Sequence, residues 1–300
     1  MLRETTRVQF YKAKLKSLLA NGGLATMRIN TIDEAAVEAY VQARGKVKSR
    51  RKRLHFPSSI NRELATLRRL LRLAHEWREI QRIPRVRLLR GERNREFILA
   101  PAPERVYLAA CPSPLSEIAV VLLDTGLRLG EALSLEWPQV HLEPATGAKF
   151  GYLTILSGKA KNRRSRNVPL SGRVEEVLNR LGPLPSGLVF HRDDGREWTD
   201  SHLDHQHASV RTLLKVSEEF VLHSLRHTFG TRLGEAGADA FTIMKLMGHS
   251  TITVSQRNVH PSPESVELAF ERLTALNLKR AATVSATVVD SKRAAVSQVV

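Results

Sequence analysis

A single helical segment late in the chain carries ionisable side chains on one face and apolar side chains beside them. Residues 221–233 read VLHSLRHTFGTRL, so that His223, Arg226 and His227 recur at three- and four-residue steps. This spacing puts all three on one side of an α-helix, between apolar positions that favour burial. The helix must therefore pack against a core while keeping a cationic face. With few acidic residues nearby, that face suits an anion, and a phosphate is the simplest candidate.

Two of these histidines also have the spacing of a zinc-binding helix. His223 and His227 lie four residues apart, as in the motif H-E-x-x-H, but Ser224 occupies the position of the glutamate base. Arg226, inside the cluster, would repel a metal cation. The segment therefore does not indicate a zinc hydrolase, and we expect neither a metal nor another cofactor.

The positive charge of the chain is concentrated in its first third. The formal net charge is +17, and the first 100 residues hold 24 basic and 9 acidic side chains. Such segregation is typical of a nucleic-acid-binding surface, with a solubilising surface as the alternative. Cys111 is the single cysteine, and no apolar run approaches the ~18 residues that a membrane span needs. We expect a cytoplasmic protein that binds double-stranded DNA, with no membrane or small-molecule partner.

The N-terminal region has the pattern of amphipathic helices. One helix is predicted over residues 33–42, and another begins at Ser58, the predicted N-cap after Pro57. The apolar stripe of the second helix consists of Ile60, Leu64, Leu67, Leu71, Ala74 and Trp77. Residues 46–53 join the two helices and are either a solvated linker or a contact to the DNA backbone. The predicted DNA-binding residues are Lys46, Lys48, Arg50, Arg51, Arg68, Arg69 and Arg72.

The sequence pattern changes near residues 86–96, where high charge and a glycine indicate a domain boundary. Beyond it, helical segments are interrupted by strand-like residues 152–156 and 167–170, which the polar turn SGKAKNRRSR joins. We predict a mainly α fold with a small antiparallel β-sheet, divided into a helical DNA-binding domain at 1–90 and a second domain at 97–275. Residues 280–300 lack a helical period, which predicts disorder.

Two further polar positions are candidates for the anion site. Arg128 lies in a glycine-bracketed turn, and Glu131, three residues later, can orient its guanidinium from the same helical face. A surface ion pair is the alternative. Lys159 lies at the predicted tip of the β-hairpin, where an exposed turn residue is the alternative.

Four motifs in this chain resemble those of the tyrosine recombinase, or phage integrase, family. They are TGLRLGEALSLEW, SGKAKNRRSRNVPL, LHSLRHTFGTRL and LMGHS, and they occur in the family's order and at its intervals. The resemblance spans about residues 97–275. The stretch SSINRELATLRRLLRLAHEW resembles, less specifically, the helical core-binding domain of the family. An additional arm-site domain is not expected.

The resemblance implies cutting and rejoining of DNA through a 3′-phosphotyrosyl intermediate, without a metal or a nucleotide. By motif match, Arg128 and Arg226 would hold the non-bridging phosphate oxygens. Lys159 would protonate the leaving 5′-oxygen, with Lys161 as a weaker candidate because this hairpin is slightly longer than in many relatives. His223 and His249 would complete the charge stabilisation and proton management. The resemblance also implies a specific core site in the DNA and a homotetramer on two duplexes.

The chain departs from the family at the nucleophile. In relatives the tyrosine lies nine positions after the histidine that matches His249, and here that position holds Asn258, followed by Val259, His260 and Pro261. The amide of asparagine has no ionisable oxygen and is too weak a nucleophile for a phosphodiester. The tyrosines of the chain, at 11, 40, 107 and 152, all lie far upstream.

Three hypotheses follow from this departure. The chain is a recombinase by descent that binds DNA but has lost strand cleavage, or it carries an isolated tyrosine-to-asparagine change in an otherwise competent protein. The third hypothesis, from another class, is a helix-turn-helix regulator whose turn is formed by residues 236–239. That hypothesis explains the charge and leaves Arg128 and the His-x-x-Arg pair unexplained.

Overall fold

The computed structural model describes residues 2–20, 23–48, 54–92, 97–156 and 165–256, and helical positions 267, 270, 271, 273–275, 277 and 278. The chain divides into two compact units, Met1–Asn94 and Arg95–Val300. The predicted fold class, mainly helical with a small antiparallel sheet, is confirmed. The domain boundaries and the roles assigned to the domains stay predictions.

The first unit is helical and has a core of its own. Its helices are α1 (Leu2–Ala20), α2 (Glu34–Lys46) and α3 (Pro57–Glu76). The α3 positions predicted to be apolar and buried lie in this core beside Val37 and Tyr40 of α2, and they are Ile60, Leu64, Leu67, Leu71 and Ala74. The helical period of three to four residues thus orients α3 as the sequence indicates.

Three details of the predicted helices are wrong. Helix α3 begins at Pro57, with Phe56 rather than Ser58 as its N-cap, because proline at the first helical position has no N–H to leave unpaired. Trp77 was placed in the buried stripe but is 69% exposed, since the helix ends at Glu76. Helix α2 runs four residues past the predicted end, and Asp33 is its N-cap, accepting from the Ala36 N–H at 2.8 Å.

A buried polar cluster joins α2 to α3. Glu63 accepts hydrogen bonds from the Tyr40 hydroxyl at 2.7 Å and from Arg44 at 2.9 and 3.0 Å, and all three side chains are buried. A buried carboxylate is costly unless it is paired in this way. The cluster therefore fixes how the two helices cross.

The second unit combines further helices with the sheet. Its elements are α4 (Pro101–Ala110), α5 (Leu115–Thr125), α6 (Leu129–Leu133), β1 (Val140–His141), β2 (Tyr152–Ile155), β3 (Arg166–Pro169), α7 (Gly172–Leu181), α8 (Asp200–Leu213), α9 (Leu222–Glu235), α10 (Ala240–Met247) and α11 (Ile252–Gln256). Helix α5 is buried along nearly its whole length and forms the centre of the core. It packs against α9, the helix that carries the histidines and Arg226.

The sheet has three antiparallel strands in the order β1, β2, β3. Leu153 pairs with Val140 on one side and with Val168 on the other. The first predicted strand, 152–156, ends one residue too late, and the second, 167–170, is displaced by one residue. Strand β1 was not predicted, because two residues are too few to establish an alternating pattern. Arg166 and Val168 lie two residues apart on β3, so both side chains point to the inner face of the sheet.

An ion network joins the helices around α9. Buried Glu104 of α4 accepts from Arg173 of α7 at 2.6 Å and from Arg232 of α9 at 2.5 Å. Arg173 also bonds Asp124 of α5, and Arg232 donates to the Leu99 carbonyl at 2.9 Å. Four helices are thereby held in register, which fixes the position from which α9 presents its polar face.

Candidate functional site

Helix α9 presents the polar face that its sequence predicts. Leu222 and Leu225 are buried in the core, His223 is exposed, and His227 is half-buried. The rings of the two histidines meet edge to face, with their centroids 4.7 Å apart. Arg226 differs from the two histidines, because only 3% of the residue is accessible to solvent.

The buried guanidinium of Arg226 joins two chain segments. It donates to the Gly126 carbonyl, at the end of α5. It also donates, at 2.7 Å, to the Met247 carbonyl at the end of α10. Burial, followed by the nearby charge of Arg128, lowers the pKa of Arg226 to about 9. The group therefore stays protonated at neutral pH and brings a full positive charge into the core.

Arg128 and Glu131 lie in contact, as their spacing predicts. Glu131 accepts from the Arg128 backbone N–H and from the Arg128 guanidinium, both at 2.9 Å. The other end of the guanidinium donates to the Gly248 carbonyl at 2.8 Å. The Arg128 side chain is 46% exposed, so part of its donor surface faces solvent.

Arg166 is a member of the site that sequence reasoning missed. Its guanidinium bonds both oxygens of Glu131, at 3.1 and 2.7 Å, and its Nε donates to the Leu246 carbonyl at 2.9 Å. The available signal was strand alternation, which places Arg166 on the same face as buried Val168 and Leu170. An arginine on a buried strand face requires a partner, and Glu131 supplies it.

The C-terminus of α10 is the point where these arginines converge. Its three successive carbonyls, those of Leu246, Met247 and Gly248, each accept a hydrogen bond from a different arginine. Cations stabilise a helix C-terminus because its carbonyls carry partial negative charge. Gly248 ends the helix in the left-handed conformation, with φ of 64°, and turns the chain toward His249.

His249 lies beside this cluster. Its Nδ1 is 2.7 Å from the Ser255 hydroxyl, a contact that fixes the ring plane. Desolvation, together with the charges of Arg226 and Arg128, lowers the pKa of His249 to about 4. Desolvation, followed by the effects of nearby His227 and of the charges of Arg226 and Arg128, also lowers the pKa of His223 to about 4, although part of that residue is exposed.

We call the group formed by Arg128, Arg166, Arg226, His223 and His249 the arginine pocket. The charges of Arg128 and Arg226 act on both histidines, and that of Arg166 acts on His249, so the five side chains are electrostatically linked. Among the contacts described above, Glu131 is the single acidic partner of the pocket, and the surrounding arginines shift the pKa of its carboxyl group. Burial alone would raise that pKa, but the hydrogen bonds and charges of Arg166 and Arg128 outweigh burial and lower it. The pocket is cationic at neutral pH and can hold an anion.

Several predicted site residues lie outside the described residues. These are Lys159, its alternative Lys161, Asn258, Arg50 and Arg51. The structure therefore brings together Arg128, Glu131, His223, Arg226 and His249, and leaves the lysine and nucleophile positions as predictions. Within the part of the chain that the structure describes, no group of three or more His, Cys, Asp or Glu side chains could hold a metal ion.

The predicted DNA-binding residues of the first unit differ in what they contact. Lys46, Lys48, Arg69 and Arg72 are exposed, whereas Arg68 is half-buried and donates to the Val86 carbonyl at 2.8 Å. A cleft of about 450 Å³ adjoins Arg68 and is lined by Arg85, Val86, Arg87, Leu88 and Arg90. The arginines of residues 85–90 were not predicted, because an irregular segment has no period that would assign them to a face.

No helix within the described ranges is both long and apolar enough to cross a membrane.

Comparison with known proteins links this chain to one family. The family model described as the phage integrase family matches residues 102–265. A putative integrase of Pseudomonas phage Pf1 is 28% identical over 222 residues, which cover 71% of this chain and 61% of that protein. Tyrosine recombinase XerC of Pediococcus pentosaceus is 28% identical over 182 residues, covering 56% and 58% respectively. The chain thus spans about three fifths of the length of these relatives.

A solved structure shares the fold. The structure of the Tn1549 transposon integrase in complex with transposon right end DNA superimposes with a TM-score of 0.67, covering 90% of this chain and 94% of that chain. Sequence identity over this match is 19%, so the likeness concerns the fold. The matched family model includes every described residue of the arginine pocket.

Proposed function

The chain belongs to the phage integrase family of tyrosine recombinases, and from this premise we propose that it binds double-stranded DNA at a specific core site. In this proposal the arginine pocket holds one backbone phosphate, and the strand is not cut because Asn258 replaces the nucleophile. The observation that carries the proposal is the convergence of three guanidinium groups on the end of α10, beside His249. The family match does not favour a helix-turn-helix regulator without catalytic ancestry.

The donors of the pocket support phosphate binding. A guanidinium has five N–H donors, and Arg226 uses two of its nitrogens on the Gly126 and Met247 carbonyls. Each of these terminal nitrogens has a second hydrogen, and partly exposed Arg128 has further free donor surface. Arginine suits this role because its planar fork binds two phosphate oxygens and stays charged.

The histidines favour the anion for a different reason. Their pKa values are lowered to about 4, so both rings are neutral at pH 7. A phosphate between them would offset the repulsion from the arginines and raise both pKa values. The pocket can therefore take up a proton as charge grows on the phosphate, which is the role proposed for His223 and His249 in strand transfer.

The chemistry that the family performs fails here at one step. In that chemistry a tyrosine oxygen attacks phosphorus, the bond from phosphorus to the 5′-oxygen breaks, and the leaving oxygen takes a proton, here from Lys159 or Lys161. Asn258 offers a neutral amide in place of the phenolic oxygen, so no phosphotyrosyl bond can form. The remaining groups would hold the phosphate in its ground state.

The DNA contacts of the first unit are proposed on the basis of charge and exposure. Exposed Arg69 and Arg72 lie on α3, and the cleft lined by Arg85, Arg87 and Arg90 adds cations in the same unit. Contacts of this kind position a duplex and carry little sequence information. We extend the proposal to a homotetramer on two duplexes, which sedimentation of the protein with core-site DNA would test. We also propose a cytoplasmic location.

The decisive experiment restores the nucleophile. Footprinting first identifies the DNA segment that the purified chain protects, and that segment is then built into a nicked substrate that traps covalent intermediates. Asn258→Tyr should form a covalent protein–DNA adduct, visible after denaturing electrophoresis. Asn258→Phe is the matched control, because it restores the ring without the hydroxyl and should form none.

Each result bears on a different part of the proposal. An adduct formed by the unchanged protein would refute the loss of cleavage at Asn258. Absence of an adduct from Asn258→Tyr, with DNA protection intact, would mean that the arginine pocket is not competent for phosphoryl transfer. Absence of a protected segment would refute site-specific binding itself.

A further inference from the structure

We propose that Arg166 is a positioning residue of the arginine pocket, which neutralises Glu131 so that the charges of Arg128 and Arg226 remain available to the phosphate. The inference rests on the proposed function, since it concerns the same pocket. Its basis is the set of contacts that Glu131 makes with two arginines of different exposure. These contacts assign a separate task to each arginine.

Arg166 is the better partner of Glu131. It bonds both carboxylate oxygens in a forked pair, at 3.1 and 2.7 Å, whereas the guanidinium of Arg128 makes one bond at 2.9 Å. The Arg166 side chain is 12% exposed and that of Arg128 is 46% exposed. A forked, enclosed pair is the stronger of the two arrangements. Arg166 therefore carries the pairing with Glu131, and Arg128 is the guanidinium that faces an incoming anion.

The charge balance of the pocket depends on this division. Three arginines and one glutamate give a net charge of about two positive units when the histidines are neutral. A phosphodiester carries one negative charge, and more develops in the transition state of phosphoryl transfer. Without Arg166, Glu131 would cancel the charge of Arg128, and the pocket would retain about half of its net charge. Arg166 thus acts on the phosphate through Glu131.

Arg166 also fixes the geometry of the pocket. Its Nε bonds the Leu246 carbonyl, and its guanidinium lies against Gly248, where an added Cβ would be 2.7 Å from Nη1. Arg128 donates a hydrogen bond to the Gly248 carbonyl. Because His249 follows directly, Arg166 links the position of that imidazole to the carboxylate that orients Arg128.

The test measures anion binding inside the pocket with sulfate, whose charge is constant near neutral pH. Histidine side-chain NMR signals are followed at pH 7 and low ionic strength, and those of His223 and His249 are identified by single histidine-to-glutamine substitutions. In the wild-type protein both signals should shift and saturate. Arg166→Gln should weaken this binding about tenfold, as expected for the loss of one nearby charge. Arg166→Lys, which keeps the charge but loses the fork, should weaken it less, by about threefold.

A double substitution separates the electrostatic role from a merely structural one. Glu131→Gln with Arg166→Gln removes one charge of each sign and restores the net charge, so sulfate affinity should recover to within about threefold of wild type. The double variant also removes the half-buried carboxylate that loses its forked partner, so it keeps the test usable where Arg166→Gln fails to fold. Arg196→Gln is the matched control, since exposed Arg196 pairs with Asp194 outside the pocket and should not alter sulfate affinity.

The outcomes distinguish this inference from the proposed function. Wild-type affinity in Arg166→Gln, or a double variant no better than the single one, would overturn the role of Arg166. Wild-type protein whose histidine signals do not respond to sulfate would instead refute the phosphate pocket on which the inference rests.

Discussion

Replacing Gly248 with alanine should damage the protein more than its position at a helix end suggests. Gly248 has φ of 64° and ψ of 46°, a conformation that costs an L-residue about 1–2 kcal/mol. The added Cβ would also lie 2.7 Å from Nη1 and 2.9 Å from Cζ of Arg166. The guanidinium must then move, and it cannot do so while it remains bonded to both Glu131 and the Leu246 carbonyl.

The expected loss can be worked out from these two contributions. A hydrogen bond to a charged group contributes about 1.5–3 kcal/mol, so the loss of one such bond adds that amount to the backbone cost. We therefore expect Gly248→Ala to lower the free energy of unfolding by about 2.5–5 kcal/mol. Gly195→Ala is the matched control, because Gly195 has φ of 74° but no atom within 4 Å of the added Cβ. It should lose only the backbone contribution, about 1–2 kcal/mol.

Urea unfolding monitored by tryptophan fluorescence measures both losses. The tryptophans are Trp77, Trp137 and Trp198, so a Trp77→Phe background restricts the signal to the second unit. Trp77 is 69% exposed, and its replacement should alter stability little. In a protein that carries Arg166→Gln, Gly248→Ala should lower the free energy of unfolding only as much as Gly195→Ala does. Equal losses for the two alanine variants with Arg166 intact would refute the steric reasoning.

Two further predictions concern salt and pH. The logarithm of the affinity for core-site DNA should fall linearly with the logarithm of the salt concentration, and Arg72→Gln should reduce the slope by about 0.9 if Arg72 contacts a phosphate. Arg82→Gln is the control, since Arg82 pairs with Glu34 at 2.9 Å. An equal reduction of the slope in Arg82→Gln would count against a specific contact of Arg72. The pKa of His249 is lowered to about 4, so the unfolded chain binds a proton that the folded one does not between pH 6.5 and 4. Stability should therefore fall as pH decreases through that window, and less steeply in His249→Gln; equal urea-unfolding profiles would contradict the assignment.

The parts of the site that could be predicted from sequence are those governed by short spacings. A helical period places His223 and Arg226 on one helix, and a step of three residues brings Glu131 to Arg128. The contacts of Arg166 could not be predicted in this way, because its partners lie 35 and 80 residues away and one of them is a backbone carbonyl. No spacing rule connects a strand residue to the end of a distant helix.

The errors in the fold have the same origin. Trp77 continues the apolar period of α3, yet the helix stops before it, and the next residue, Arg78, has φ of 62°. The sequence there contains neither glycine nor proline that would indicate an end. A positive φ at a non-glycine residue is set by tertiary packing, which a local pattern does not contain.

The arrangement of the arginine pocket is compatible with the proposed binding of DNA without cleavage. A helix C-terminus repels an anion, so the carbonyls of α10 would oppose phosphate binding if they were left exposed. Each of the three carbonyls is instead bonded to an arginine, and the arginines keep further donors for a ligand. All the contacts described for these guanidinium groups join residues between 126 and 248, so a substitution at position 258 removes none of them. In the proposed function, loss of the nucleophile would therefore abolish the chemical step while the groups proposed to hold the anion stay in place.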